Sequence, residues 1–119
     1  MFHNIRTVMM FVNEPEKAAR WWADILKTSD VHLDVDGDNV YAWLMVGGIE
    51  YGFHPASPKR NPQGGSPVVY WAVDDLAAAR QRLLDVGCVH LRGPLDVEEG
   101  RRICQLTDPF GTTFGLEGP

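Results

Sequence analysis

The two halves of this chain follow the same order of apolar runs, polar turns and amphipathic segments. In the first half, the apolar run at residues 8–12 is followed by an amphipathic segment at residues 17–26. In the second half, an apolar run at residues 68–73 is followed by an amphipathic segment at residues 76–86. Short apolar runs are typical of strands, and apolar residues at 3.6-residue spacing indicate a helix. A repeated strand–helix unit restricts both the architecture and the position of a ligand.

The first half predicts one β-α-β-β-β module. Asn13 is a favourable N-cap and Glu16 stands three residues later, which matches a capping box at the start of the helix. Runs of Val, Tyr, Trp and Phe are typical of strands. We expect strands at residues 1–12, 31–36, 40–46 and 49–54, with the helix at residues 17–26.

The second half predicts the same order after a linker at residues 55–67, which contains four prolines and no apolar periodicity. The second helix is expected to begin at Asp74 or Asp75 and to end at Gly87. Asp108 opens an Asp-Pro-x-Gly turn between the last two strands. The strands are expected at residues 68–73, 89–92, 101–106 and 113–117. We therefore predict one domain at residues 1–119, with modules at 1–54 and 68–119.

Composition excludes several classes of protein. The 119 residues carry a formal net charge of −5, and the basic residues are scattered, which argues against a nucleic-acid partner. No apolar run approaches the roughly 20 residues that span a bilayer, and the N-terminus does not resemble a signal peptide. Cys88 and Cys104 are interpreted as reduced core residues. We expect a cytoplasmic protein without a membrane partner.

Two motifs resemble those of a known family. Residues 11–14 followed by residues 18–26 resemble the strand, acidic residue and helix of the vicinal oxygen chelate superfamily, with Lys27 in place of the usual glycine. Residues 108–116 resemble its C-terminal Asp-Pro-x-Gly turn and strand. This superfamily includes glyoxalase I, bleomycin resistance proteins and extradiol dioxygenases, and the resemblance covers nearly the whole chain. It implies an α+β fold in which two modules form a curved mixed sheet with helices on the convex face and a concave ligand cleft.

The resemblance also implies a homodimer, in which modules are sometimes exchanged between chains, and a set of metal positions. In metal-dependent members four side chains ligate the ion, and they correspond here to Thr7, Glu50, Val68 and Gly115. Only Glu50 is a credible ligand, whereas transition metals need three or four donors. His54 lies four residues along the same strand, about 13 Å away, so it cannot share an ion with Glu50. We therefore predict no metal and no cofactor.

The expected cleft is lined mainly by apolar walls with few polar groups, as in small-molecule sites. Glu50 is the central candidate, because a carboxylate within an aromatic strand is costly unless it is paired or solvated. His54 and Tyr70 are expected to contact the ligand beside it. Met9, Phe11 and Tyr70 are equally consistent with core packing, and His54 with a surface position. The lining residues are Thr7, Met9, Phe11, Glu50, His54, Tyr70, Ala72, Cys104 and Thr113.

Two classes of function remain open. The first is a metal-independent small-molecule binding protein that sequesters an antibiotic or metabolite. The second is a glyoxalase-like isomerase or lyase in which Glu50 acts as the general base. An accessory or regulatory domain is a third interpretation. We favour binding, since three of the four metal positions lack a good donor and the protein is acidic.

Overall fold

The computed structural model describes residues 3, 5, 7–28, 30–59, 61–63, 65, 68–97 and 100–119. The chain forms two compact units, Met1–Ser66 and Pro67–Pro119. Each unit has the order β-α-β-β-β and a four-stranded mixed sheet, so the α+β prediction with two modules is confirmed. None of the described helices is long and apolar enough to cross a membrane.

Unit 1 is a four-stranded sheet with a helix against one face. Its strand order is β1-β4-β3-β2, with β1 parallel to β4 and the other neighbours antiparallel. Because side chains alternate along a strand, one set of residues meets the helix and is buried. The elements are β1 Thr7–Val12, α1 Pro15–Leu26, β2 His32–Asp36, β3 Asn39–Val46 and β4 Ile49–Pro55. The helix-facing core contains Met10, Val12, Ala18, Trp22, Leu44, Tyr51 and Phe53.

Helix α1 begins differently from the sequence prediction. Its N-cap is Glu14, which makes no side-chain capping bond, and Pro15 occupies the first turn. The predicted capping box of Asn13 and Glu16 is therefore wrong. A proline at this position has φ already fixed for the helix and lacks an N–H that would need a cap. Glu16 pairs with Arg20 at 3.0 Å, on the next turn.

Helix α1 ends at Leu26, and its C-cap Lys27 adopts the left-handed conformation with φ of 56°. Thr28 donates its backbone N–H to the carbonyl of Ala23 at 2.9 Å, so this carbonyl of the last turn has a hydrogen-bond partner. The glycine that the resemblance implies at position 27 would adopt this conformation without steric cost.

Unit 2 has the strand order β5-β8-β7-β6, with β5 parallel to β8. Asp75 caps α2 by accepting a hydrogen bond from the Ala78 amide at 3.1 Å, which selects Asp75 from the two predicted starts. The helix ends at Asp85, and Gly87 follows with φ of 106°. The elements are β5 Val69–Ala72, α2 Leu76–Asp85, β6 Val89–Asp96, β7 Arg102–Thr107 and β8 Thr113–Gly118.

The Asp-Pro-x-Gly turn between β7 and β8 is held by a buried carboxylate. Asp108 is 3% exposed, and its Oδ1 accepts hydrogen bonds from the amides of Phe110 and Thr112, both at 2.9 Å. Gly111 closes the turn with φ of 88°, a value that favours glycine. The motif therefore stabilises the hairpin.

The predicted linker is partly built into unit 1. Pro55 ends β4, the Ala56 amide donates to the Val12 carbonyl at 2.9 Å, and Ser57 pairs with Asn61. Residues 60, 64, 66 and 67 of the linker prediction lie outside the described residues, as do residues 1, 2, 4 and 6 of the first predicted strand. The assignment of residues 1–119 to a single domain stays a prediction.

Candidate functional site

The sheet of unit 1 has one face that α1 does not cover, which we call the open face of unit 1. Parallel pairing sets Thr7 beside Glu50 and Phe11 beside His54, and antiparallel pairing extends the same face into β3 and β2. Five of the nine residues predicted to line the cleft lie on it, because side chains two residues apart on a strand point to the same face. These five are Thr7, Met9, Phe11, Glu50 and His54.

Glu50 is paired on this face with a residue that the sequence analysis missed. The Tyr41 hydroxyl donates a hydrogen bond to Glu50 Oε2 at 2.6 Å. Burial, and then the hydrogen bond and charge of Glu50, raise the pKa of Tyr41 well above its ordinary value, so the hydroxyl remains a donor. This bond offsets the cost of placing a carboxylate in the sheet.

Tyr41 reaches Glu50 because a glycine lies beneath its ring. A Cβ atom on Gly52 would stand 1.9 Å from the Tyr41 hydroxyl oxygen. Gly52 therefore leaves the space in which the Tyr41 ring crosses from β3 to β4.

A groove of about 390 Å³ lies on the open face of unit 1. Met9 and His54, both predicted, line it. Glu50 does not, but it is one hydrogen bond away through Tyr41. Asp34 and Asp36 add two exposed carboxylates from β2. The lining residues are Met9, Asp34, Asp36, Asn39, Tyr41, His54 and Pro55.

Aromatic rings lie on the open face of unit 1, and two of them, Tyr41 and His54, line the groove. Phe11 meets His54 edge to face with centroids 5.8 Å apart, and Tyr41 lies 6.2 Å from His54. Trp43 stacks on His32 at 4.2 Å with an interplanar angle of 16°. The surface therefore combines aromatic rings with carboxylates, a combination that attracts cations through both charge and ring faces.

The sheet of unit 2 repeats the tyrosine-over-glycine arrangement. A Cβ atom on Gly115 would stand 2.3 Å from the Tyr70 ring, so the ring fills the space that a side chain at position 115 would occupy. Gln105 donates its amide N–H to the Tyr70 hydroxyl at 2.7 Å. Thr113 lies two residues before Gly115 on the same face, and Ala72 lies two residues after Tyr70. We call this surface the open face of unit 2.

Cys104 is buried. It pairs with Leu116, both residues are 2% exposed, and Cys104 is also among the residues around a cavity beside Tyr70 and Gln105. Burial raises the pKa of the Cys104 thiol and, more strongly, that of Cys88, to about 12. Both cysteines are free and buried, as the interpretation of core residues requires.

The family profile described as Glyoxalase/Bleomycin resistance protein/Dioxygenase superfamily matches residues 4–116. The chain belongs to this superfamily. The match covers both modules and the C-terminal Asp-Pro-x-Gly turn. No curated protein matches the chain.

Solved structures of other proteins share the fold. A member from Sphaerobacter thermophilus DSM 20745 has a TM-score of 0.71 at 18% identity, covering 100% of this chain and 99% of its own. A family enzyme from Burkholderia phytofirmans PsJN has a TM-score of 0.73 at 12% identity, covering 98% of each chain. TnmS3, an antibiotic binding protein from Streptomyces sp. CB03234, has a TM-score of 0.69 at 19% identity, covering 99% of this chain and 97% of its own.

The four positions that ligate metal in some superfamily members carry a poor donor set here. Thr7 and Glu50 are direct partners across β1 and β4, but Glu50 already accepts a hydrogen bond from the Tyr41 hydroxyl. Val68 has no donor, and the Tyr70 ring occupies the space beside Gly115. Among the described residues, no group of three or more His, Cys, Asp or Glu side chains is arranged to hold an ion. These residues do not fit the superfamily's metal centre, and metal independence stays a prediction.

Proposed function

We propose that this protein binds a small, flat, cationic molecule in the groove of unit 1 without a metal ion, and sequesters it. The observation that carries the proposal is the groove itself, in which Asp34 and Asp36 face the same space as Tyr41 and His54. Its volume of about 390 Å³ lies within the range of small-molecule sites.

Charge and aromatic surface act together in this groove. Exposed carboxylates attract a cation and increase its local concentration. The faces of aromatic rings contribute roughly 0.5–2 kcal/mol to holding a cation. A flat cation therefore gains both interactions, whereas an anion would be repelled by Asp34 and Asp36. The antibiotic-binding protein TnmS3, which has the same fold, supports an antibiotic as one candidate ligand.

A thermal-shift screen tests the proposal with three ligand classes: divalent metals, thiol conjugates and cationic aromatic antibiotics. A ligand that binds only the folded state adds about 2.7 kcal/mol of stability at a concentration of 100 Kd. We expect the cationic aromatic class to raise the melting temperature in the presence of EDTA. Replacement of Asp34 by asparagine should reduce that shift. A shift that only metals produce would contradict the proposal.

The second candidate is an isomerase or lyase that uses Glu50 as its general base. The observation that favours it is the 2.6 Å bond between Tyr41 and Glu50, which places a protonated hydroxyl next to a carboxylate. In such a pair the hydroxyl can donate a proton to a substrate and the carboxylate can accept one from it. Binding and catalysis are separated by Glu50→Gln, for which the two functions predict different outcomes.

We also propose that the protein forms a homodimer. Strands β2 and β6 end their sheets and expose apolar side chains, including Val35, Val89 and Leu91. Exposed edges with apolar residues are commonly covered by a partner. Light scattering at micromolar concentration should give the mass of two chains, and the mass of one chain would contradict the proposal.

A further inference from the structure

The open face of unit 2 contains a second pocket whose chemistry is opposite to that of the groove in unit 1. A cavity of about 90 Å³ opens beside Arg92, Gln105 and Tyr70. All three of these side chains can donate hydrogen bonds, and Leu95, Ile103 and the buried Cys104 complete the lining. Since one water takes about 30 Å³ of liquid volume, the cavity accommodates about three waters or one carboxylate group.

The position of Arg92 results from irregular pairing of β6 with β7. His90 pairs with Leu106, Arg92 with Gln105 and Leu95 with Ile103, so β6 has an extra residue in each interval. Residues three apart on a regular strand point to opposite faces. The second of these bulges instead brings Arg92 and Leu95 to the same face, beside their partners on β7. Bulges that redirect a side chain are frequent next to binding sites.

The side chains of this pocket have hydrogen-bond donors that are not used within the protein. Gln105 uses one amide N–H on the Tyr70 hydroxyl at 2.7 Å, which leaves its second N–H and the Tyr70 proton available. The described ion pairs of unit 2 join Arg101 to Glu117 and leave the Arg92 guanidinium without a carboxylate partner among the described residues. A planar guanidinium matches a planar carboxylate through two parallel hydrogen bonds.

A larger groove of about 580 Å³ adjoins the pocket and shares Tyr70 and Ile103 with it. The apolar part of its lining is formed by Val97 and Ile103, and the charged part by the Arg101–Glu117 ion pair. A molecule with a charged end in the pocket would lay its apolar body along this groove.

We propose that the open face of unit 2 binds a small carboxylate with an apolar or aromatic body. The Arg92 guanidinium receives the carboxylate, the Gln105 amide and Tyr70 hydroxyl donate to it, and Ile103 and Val97 contact the body. None of the residues of this site belongs to unit 1, so the site is tested with its own ligand and its own variants.

The proposal is tested by NMR titration with benzoate and with its neutral analogue benzamide. Benzoate should shift the side-chain amide resonances of Gln105 and bind at least tenfold more tightly than benzamide. Arg92→Gln should weaken benzoate binding at least tenfold and abolish the preference over benzamide. Arg82→Gln is the matched control, since it removes the same charge from an exposed position on α2.

Two results would overturn the proposal: equal affinities for benzoate and benzamide in the wild-type protein, or an unchanged benzoate affinity in a folded Arg92→Gln protein. The backbone amide spectrum reports whether that variant is folded, and Tyr70→Phe provides a second test because it removes one donor and keeps the ring. We expect benzoate binding to weaken severalfold in Tyr70→Phe. Failure of this test leaves the cation groove of unit 1 untouched, because that groove is tested with cations and with other variants.

Discussion

Replacement of Trp22 by alanine is expected to lower the free energy of unfolding by about 3–5 kcal/mol, the usual cost of removing a large buried aromatic side chain. Trp22 is 2% exposed and packs between α1 and the sheet of unit 1. Its ring meets Tyr51 edge to face with centroids 5.6 Å apart. The loss combines the hydrophobic transfer of the indole with the cavity that it leaves, and urea denaturation with an unchanged m-value would measure it.

Trp21 provides the matched control for this prediction. It precedes Trp22 on α1 and meets it edge to face at 5.1 Å, but it is only half-buried. Trp21→Ala should therefore lose less than half the stability that Trp22→Ala loses. Equal losses for the two variants would show that α1 does not bury the Trp22 side of the helix.

Replacement of Glu50 by glutamine is expected to weaken the binding of a flat cation such as proflavine about tenfold or more. Glutamine keeps the shape, and its amide oxygen can still accept the Tyr41 hydroxyl, so the change removes charge alone. Glu50 does not line the groove, so its charge acts on the cation across Tyr41, and two unit charges about 8 Å apart at an effective dielectric constant of about 20 interact by roughly 2 kcal/mol. Fluorescence titration measures the affinity, and Asp24→Asn, which removes an exposed carboxylate from α1, is the control.

The same variant distinguishes the two candidate functions. If Glu50 is a general base, Glu50→Gln should keep the affinity for the substrate while turnover falls by about 10²-fold or more. If the protein only binds, the affinity falls and there is no turnover to lose. A variant that changes neither affinity nor rate would show that Glu50 has no part in the site.

Local sequence signals determined most of the fold. The repeated strand–helix order, the Asp75 cap and the Asp108 turn each depend on residues close in sequence, and the structure places them as predicted. The capping motif at Asn13 and Glu16 predicts the wrong start for α1. The helix begins at Pro15, which lacks an N–H and so makes a side-chain cap unnecessary.

The site was less predictable because its contacts cross between strands. Tyr41 meets Glu50 only because Gly52 leaves room for its ring, and this depends on the register of β3 with β4. Asp34 and Asp36 alternate with Leu33 and Val35, as residues on one face of a strand do. Because β2 is exposed along its whole length, its carboxylates are indistinguishable in the sequence from ordinary surface residues. A strand alternation analysis of residues 32–36 could have found them.

The second unit also contains contacts that local sequence does not predict. Cys104 is predicted to line the cleft, and the structure places it both in the core beside Leu116 and next to the cavity at Tyr70. The bulges that redirect Arg92 on β6 have no signature beyond Gly93 and Pro94, so neither the register nor the pocket beside Arg92 was visible in the sequence.

The central claim is that the protein binds its ligand without a metal, and a titration with proflavine before and after treatment with EDTA tests it most directly. The account predicts the same Kd in both samples and no change when nickel, zinc, manganese or iron is added back. Elemental analysis of protein purified without chelator should find no stoichiometric transition metal. Proflavine binding that disappears with EDTA, returns with one metal and is lost in Glu50→Ala would contradict the claim.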